Sequence, residues 1–197
     1  MKDWKGNKNS AWSTAGVSRQ EGHERETHDF YATDPKAVRK LLEKEDFLHD
    51  IWEPAAGLRH LSDELERLGH SVRSSDIIMR TEGVEQLDFL DIANTQTWKG
   101  DIITNPPFVY AQEFIMKSLQ LLREGNKLAL FLKLQFLEGK GRKEMFRQFP
   151  PKTIYVFSER IICAKNGNFG EFKSSAICYA WFVWEKGYKG DTTIKWI

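Results

Sequence analysis

The residues best suited to chemistry lie in the run Asp101-Ile102-Ile103-Thr104-Asn105-Pro106-Pro107-Phe108. Consecutive prolines lack N–H groups and fix φ, so the turn is stiff and the carbonyls before it are not absorbed by a helix. Pro106 can therefore present its carbonyl to a ligand beside the side-chain oxygen of Asn105. Two acceptors at one point suit an –NH2 group. Phe108 offers a flat apolar face for stacking a base taken out of its helix.

A second segment, Trp52-Glu53-Pro54-Ala55-Ala56-Gly57-Leu58-Arg59-His60-Leu61, turns from strand to helix through small residues. In an open α/β sheet a ligand sits at the carboxyl ends of the strands, and small residues let it touch backbone. Asp76, ending the next strand, stands where an acid accepts both ribose hydroxyls of a nucleoside. Asp88-Phe89-Leu90 follows at the place expected for an adenine contact. A small-residue turn taken alone is only a turn; the order of the segments gives it weight.

The elements that must hold these residues are readable from period and punctuation. Asp34-Pro35 opens a helix with Val38, Leu41 and Leu42 on one face, Asp34 serving as cap. Phe47–Trp52 reads as a strand, and Leu61, Leu65 and Leu68 mark a helix that stops at Gly69. Ser71–Ser75 and Asp101–Thr104 are short strands. A helix with Phe114, Ile115, Leu119 and Leu122 follows, and Lys127–Leu134 suits a strand buried on both faces. A basic amphipathic helix, about Lys140 to Gln148, leads through Pro150-Pro151 to the strand Thr153–Phe157. The polar loop Ile161–Ser174 and the strand Ser175–Trp184 come next. Such alternation predicts a Rossmann-like α/β fold with a mainly parallel sheet, and two late strands with no helix between them predict an antiparallel C-terminal hairpin at one edge. Residues 1–29 are polar and without period, an arm bearing Trp4 and Trp12; residues 30–197 form the folded domain.

Composition narrows the classes. The chain of 197 residues is enough for one α/β domain. Its longest mainly apolar run, Ala176–Trp184, is too short to cross a bilayer, and the amino terminus has no secretory layout. Cys163 and Cys178 make neither a disulfide framework nor a metal pattern, which points to a cytoplasmic protein without metal. Net charge is −6 over residues 1–120 and +7 over 121–197. A basic second half is a candidate phosphate-facing surface, or simply a solvated one.

The series Phe30-Tyr31-Ala32-Thr33-Asp34-Pro35, Glu-Pro-Ala-Ala-Gly, Asp76, Asp88-Phe89 and Asn-Pro-Pro-Phe resembles the adenine-N6 DNA methyltransferases of phages and mobile elements, which use S-adenosylmethionine. Tyr179-Ala180-Trp181-Phe182-Val183-Trp184-Glu185-Lys186-Gly187-Tyr188 is also similar to small members of that group. The resemblance implies that Tyr31 and Thr33 lie near the cofactor, that Glu53, Pro54, Ala55 and Gly57 line its methionine end, and that Asp76 holds its ribose. It further implies that Asp88 and Phe89 flank its adenine and that Asn105, Pro106, Pro107 and Phe108 grip the target base. The partner it implies is nucleic acid, DNA first; Asn-Pro-Pro-Phe also occurs in RNA base methyltransferases. Sequence preference would be set by the arm and by loops near 135–147 and 160–174.

One position departs from the pattern. Where the family has Gly-x-Gly, this chain reads Gly57-Leu58-Arg59. Two readings follow: Arg59 swings over the pocket and leaves a binding module without cofactor, or its guanidinium pairs with the cofactor carboxylate. Other candidates fall away. His23 and His28 are five apart and do not share a helix face as zinc-protease ligands do. Gly139-Lys140-Gly141-Arg142-Lys143 lacks the hydroxyl of a phosphate loop, and His49, His60 and His70 read as surface or helix-end residues. Arg160, Lys165, Asn166 and Asn168 are candidates for reading bases near the target.

Overall fold

A computed structural model describes residues 31–91, 93, 95–165 and 177–197. The arm with Trp4 and Trp12, the His23–His28 segment, Asn166 and Asn168 lie outside the described residues.

The elements run β1 (Tyr31–Thr33), α1 (Lys36–Leu42), β2 (Asp50–Glu53), α2 (His60–Arg67), β3 (Ser71–Asp76), β4 (Glu85–Gln86) and β5 (Asp101–Thr104). They continue as α3 (Ala111–Leu121), β6 (Lys127–Lys133), α4 (Lys143–Gln148), β7 (Thr153–Val156), β8 (Cys163–Lys165), β9 (Tyr179–Glu185) and β10 (Thr193–Trp196). Eight strands form one sheet in the order β10-β7-β9-β6-β5-β2-β3-β4. All neighbours are parallel except those of β9, which is antiparallel to both β6 and β7. β1 and β8 make a separate antiparallel pair.

Both faces of the sheet are covered, as the apolar runs demand. On β6, Leu128, Leu130 and Leu132 join α3 in one core, while Ala129 and Phe131 join α1 and α2 in the other. β9 alternates the same way, with Ala180, Phe182 and Trp184 on the first side and Tyr179, Trp181 and Val183 on the second. The buried indoles keep their N–H groups bonded: Trp181 donates to the Ala37 carbonyl at 2.8 Å, and Trp52 to the Ser75 hydroxyl at 2.9 Å.

The site-bearing strand is pinned at its start. The buried Asp101 carboxylate accepts the backbone N–H of Leu48 at 2.7 Å and of Lys127 at 2.6 Å, tying β5 to the entries of β2 and β6. Gly100 is obligatory beside it, because a Cβ there would meet the Asp50 carbonyl oxygen at 2.0 Å.

Three features differ from the sequence reading. The strand expected at Phe47–Trp52 is Asp50–Glu53, since Phe47 packs from a loop against the α1 side. The late antiparallel pair exists, as β7 and β9, but not at an edge: β9 is inserted between β6 and β7. The edge is β10, parallel to β7, and Ile194 and Trp196 on it are exposed.

Candidate active site

The exits of β5 and β6 stand side by side, and the Asn105–Phe108 turn leaves from the first. Asn105 is half-buried, Pro106 buried, Pro107 exposed and Phe108 half-buried. Pro107 gives its carbonyl to the N–H of Tyr110 at 2.9 Å, closing a short 3-10 turn over Phe108–Tyr110. The backbone bonds that close the turn go to the Pro107 and Phe108 carbonyls and not to that of Pro106. The Asn105 amide nitrogen donates to the Thr33 hydroxyl at 2.9 Å, which orients the amide and couples β1 to the turn. Thr33 is itself buried and sits opposite Cys163 in the β1–β8 pair. Desolvation pushes the Cys163 thiol up to about 12, so it is neither thiolate nor nucleophile at neutral pH.

Phe108 is not a bare platform. Its ring stacks near Tyr179 at 6.1 Å between centroids, and the Lys133 ammonium lies 4.8 Å from its centre. Beside it opens a cavity of about 170 Å³ lined by Phe108, Leu132, Lys133, Gln135, Phe136 and Arg142. The wall carrying Gln135 and Phe136 is a 3-10 turn, Leu134–Leu137, clamped by Arg142. Arg142 donates to the Phe136 carbonyl at 2.8 Å and to the Glu138 carbonyl, and lies over the Phe136 ring. Gly139 leaves room for this: its φ is +129°, and a Cβ there would come within 2.8 Å of the guanidinium.

Across the β5–β2 border lies the Glu53–Gly57 loop at the carboxyl end of β2. Pro54, Ala56 and Gly57 are buried and Ala55 half-buried. Gly57, at φ 53°, gives its N–H to Asp76 at 2.9 Å, and the Ala56 N–H bonds the Ser75 carbonyl at 3.0 Å, so the loop is stitched to the end of β3. Glu53 is 2% exposed and hydrogen-bonded to Ser62, whose hydroxyl lies 2.6 Å from that of Ser74. Desolvation pushes the Glu53 carboxyl up to about 8, against the opposing Ser62 hydrogen bonds and Arg59 charge. At neutral pH it is an uncharged acid.

Arg59 adopts neither pose expected of it. It occupies the left-handed region at φ 67°, the one non-glycine among the described residues to do so. Its guanidinium runs along α2 to Asp63 (2.9 Å) and Glu66 (2.7 Å), and reaches the Ser74 hydroxyl and the Gly83 carbonyl, both at 2.8 Å. All four partners belong to the chain, so the group is not displayed to a ligand carboxylate. It completes a polar chain, Glu53–Ser62–Ser74–Arg59, between α2 and β3.

Asp76 lies at the end of β3, as expected, and is 8% exposed. One oxygen accepts from Gly57; the other accepts from Ile78 N–H at 3.0 Å and pairs with Arg80 at 3.4 Å. A carboxylate offers about four acceptor directions, so capacity for a hydroxyl remains. The exposed Ile77 and Met79 add apolar surface beside it. A carboxylate with spare acceptor capacity, flanked by apolar side chains and by backbone of the Glu53–Gly57 loop, is chemically able to accept hydrogen bonds from a ligand hydroxyl. Asp88 is exposed and caps the Leu90 N–H at 2.9 Å. Phe89 is core: its ring packs on Trp52 at 5.2 Å and Phe114 at 4.9 Å and cannot also cover a ligand adenine. Tyr31 opens β1 opposite Lys165.

Sequence reasoning missed Lys133, Tyr179, Ser62 and Ser74 as site residues. Lys133 and Tyr179 face each other at the ends of β6 and β9. A lysine closing an apolar strand is the only sequence signal that marks either. Among the described residues no group of three His, Cys, Asp or Glu is placed to hold a metal ion. No described helix is long and apolar enough to cross a membrane.

No protein-family model matches the chain, and no curated protein matches it in sequence. Solved structures match it in fold. A type I restriction-modification system methyltransferase subunit from Streptococcus thermophilus superposes with a TM-score of 0.60 at 13% identity, over 87% of this chain and 48% of that one. The type I restriction enzyme EcoKI M protein gives 0.58 at 15% identity, over 81% and 44%. A predicted O-methyltransferase from Agrobacterium tumefaciens gives 0.59 at 13% identity, over 83% and 85%. The chain thus spans less than half the length of the two restriction-system subunits. Its fold is the Rossmann-like class I methyltransferase fold, a mostly parallel sheet with one antiparallel strand inserted near the end.

Proposed function

We propose that the chain transfers a methyl group from S-adenosylmethionine to an exocyclic base amine, with adenine N6 in DNA as the acceptor. The observation that carries this reading is the β5 exit. An amide oriented by Thr33 at Asn105 and the Pro106 carbonyl lead directly into Phe108, which lines a cavity of about 170 Å³, and the Glu53–Gly57 loop tied to Asp76 leaves the neighbouring strand β2.

The Glu53–Gly57 loop and Asp76 would hold the cofactor, which when bound supplies an electrophilic sulfonium methyl. The chain's own task is to make a poor nucleophile reactive. An adenine amine has its lone pair delocalised into the ring. Hydrogen bonds from that amine to Asn105 Oδ1 and the Pro106 carbonyl draw the nitrogen towards a tetrahedral shape and release the lone pair. Thr33 keeps the amide turned the right way. Phe108 and the cavity wall fix the base plane and exclude water, so positioning and preorganised acceptors provide the rate. Asn105 is too weak a base to take the proton; the nitrogen–carbon bond forms as the donor's carbon–sulfur bond breaks, and the proton passes to bulk solvent as the methylated base leaves the site.

The test is transfer of tritiated methyl groups into unmethylated DNA and into RNA, with nucleoside analysis of the product. Label recovered as N6-methyladenine from DNA is the expected result. Label in RNA alone would move the substrate class. No label in either, with a folded protein that fails to bind the cofactor, would leave a binding module on a methyltransferase fold.

A further inference from the structure

Two cations line the cavity beside Phe108, and they are not equivalent. Arg142 is consumed by the turn it clamps, through carbonyls of Phe136 and Glu138 and the Phe136 ring. Lys133 has no such backbone contact among the described residues. Among the described residues no carboxylate pairs with it, whereas Lys36, Lys40, Lys127 and Lys152 all have acidic partners. Cys163 gives it no counter-charge, because that thiol stays protonated. The ammonium is half-buried at the end of β6 and rests against the Phe108 ring. An ammonium on an aromatic face is held more weakly than one that makes a charge-assisted bond to phosphate. Phe108 also has Tyr179 stacked near it, so part of its surface is already taken by protein.

We propose that Lys133 is the phosphate anchor of the acceptor nucleotide. Its ammonium caps the Phe108 ring in the free protein and moves to the phosphodiester next to the target when a base takes its place. This rests on the reading that the cavity accepts a base. It gives the site two states: closed by its own cation, and open with that cation spent on the ligand's charge. It also assigns Lys133 a positioning role, with no part in bond making.

The experiment measures anisotropy of a fluorescein-labelled, mixed-sequence 15-nucleotide single-stranded DNA with the full chain between 25 and 250 mM NaCl. One phosphate contact on a single strand contributes a slope of about −0.7, or about a fivefold loss over tenfold salt. Lys133→Met, which keeps the aliphatic stem, should lose about fivefold less affinity across that range than wild type, and Lys133→Arg should match wild type. If Lys133→Met does not fold, Lys133→Gln carries the same comparison. Equal salt slopes in wild type and the neutral variants would overturn the proposal while leaving methyl transfer untouched. Absence of DNA binding by wild type would overturn it as well. A Lys133-dependent slope in a chain that transfers no methyl group would sink the enzymatic reading and keep the anchor.

Discussion

Replacing Glu53 by Gln tests whether the buried acid that opens the Glu53–Gly57 loop is protonated. In the folded chain it binds its proton at about 8; the unfolded value is 4.5. Between those values the native state holds a proton that the unfolded chain has lost, so stability falls as pH rises, by about 1.4 kcal/mol per pH unit. Below 4.5 there is no penalty, and above about 8 it is complete. From pH 5 to pH 8.5 wild type should therefore lose about 4 kcal/mol that Glu53→Gln does not lose. Urea unfolding followed by tryptophan fluorescence at both pH values gives the double difference, in which every other titrating group cancels. With m near 2 kcal/mol per M, the gap between the two midpoints should widen by about 2 M. Parallel pH profiles would refute the argument, because they require Glu53 to ionise in place. The Ser62–Ser74–Arg59 chain would then be solvating a carboxylate.

Other outcomes follow from the same geometry. Asn105→Ala and Phe108→Ala should keep the thermal unfolding transition and lower methyl transfer by about 10²-fold or more, the usual effect of removing one transition-state hydrogen bond or its support; full activity in either removes that residue from the mechanism. Arg59→Gly should relieve a left-handed backbone worth about 1 kcal/mol but lose polar ties to Ser74 and Gly83 worth more, leaving the fold about 1 kcal/mol less stable. Calorimetry should find S-adenosylmethionine bound about equally by both proteins, and a silent wild type beside a binding variant would restore the blocked-pocket reading. Asp101→Asn keeps one acceptor oxygen but sets an NH2 donor against the other of the two backbone N–H groups, Leu48 or Lys127, and should cost about 1–3 kcal/mol in urea unfolding. Hydrogen bonds from Arg67 and Arg39 hold the Glu64 carboxyl down at about 2. Its contribution is present above 4.5 and fades as pH falls towards 2, so thermal unfolding of wild type and Glu64→Gln should differ at pH 7 and converge at pH 2.

What the sequence disclosed follows the range of the physics. Asn105–Phe108 was legible because two prolines dictate their own backbone, and β6 because an apolar run needs cover on both faces. The insertion of β9 was not legible, since strand order depends on which partners the loops allow. β10 was invisible: Thr193–Trp196 has four exposed side chains and so no period. Arg59 could be seen as an anomaly, but its partners Ser74 and Gly83 come from elements that only the folded chain brings near. Glu53 stands in the sequence as one more carboxyl at a small-residue turn. That it is neutral depends on desolvation contributed by α2 and β3, which its neighbours in sequence do not announce. Phe89 was assigned from its place in a motif, and packing on Trp52 and Phe114 claimed its ring for the core.

The position of β9 bears on how this chain is made. During translation β6 and β7 leave the ribosome first, each with a hydrogen-bonding edge awaiting a strand synthesised dozens of residues later. Until Glu185 has emerged, the nascent sheet is split and its widest aromatic surfaces, those meeting Trp181, Phe182 and Trp184, are open to chaperones and to other nascent chains. The two halves of the sheet, β5–β6 and β7, can be joined only once β9 has been made.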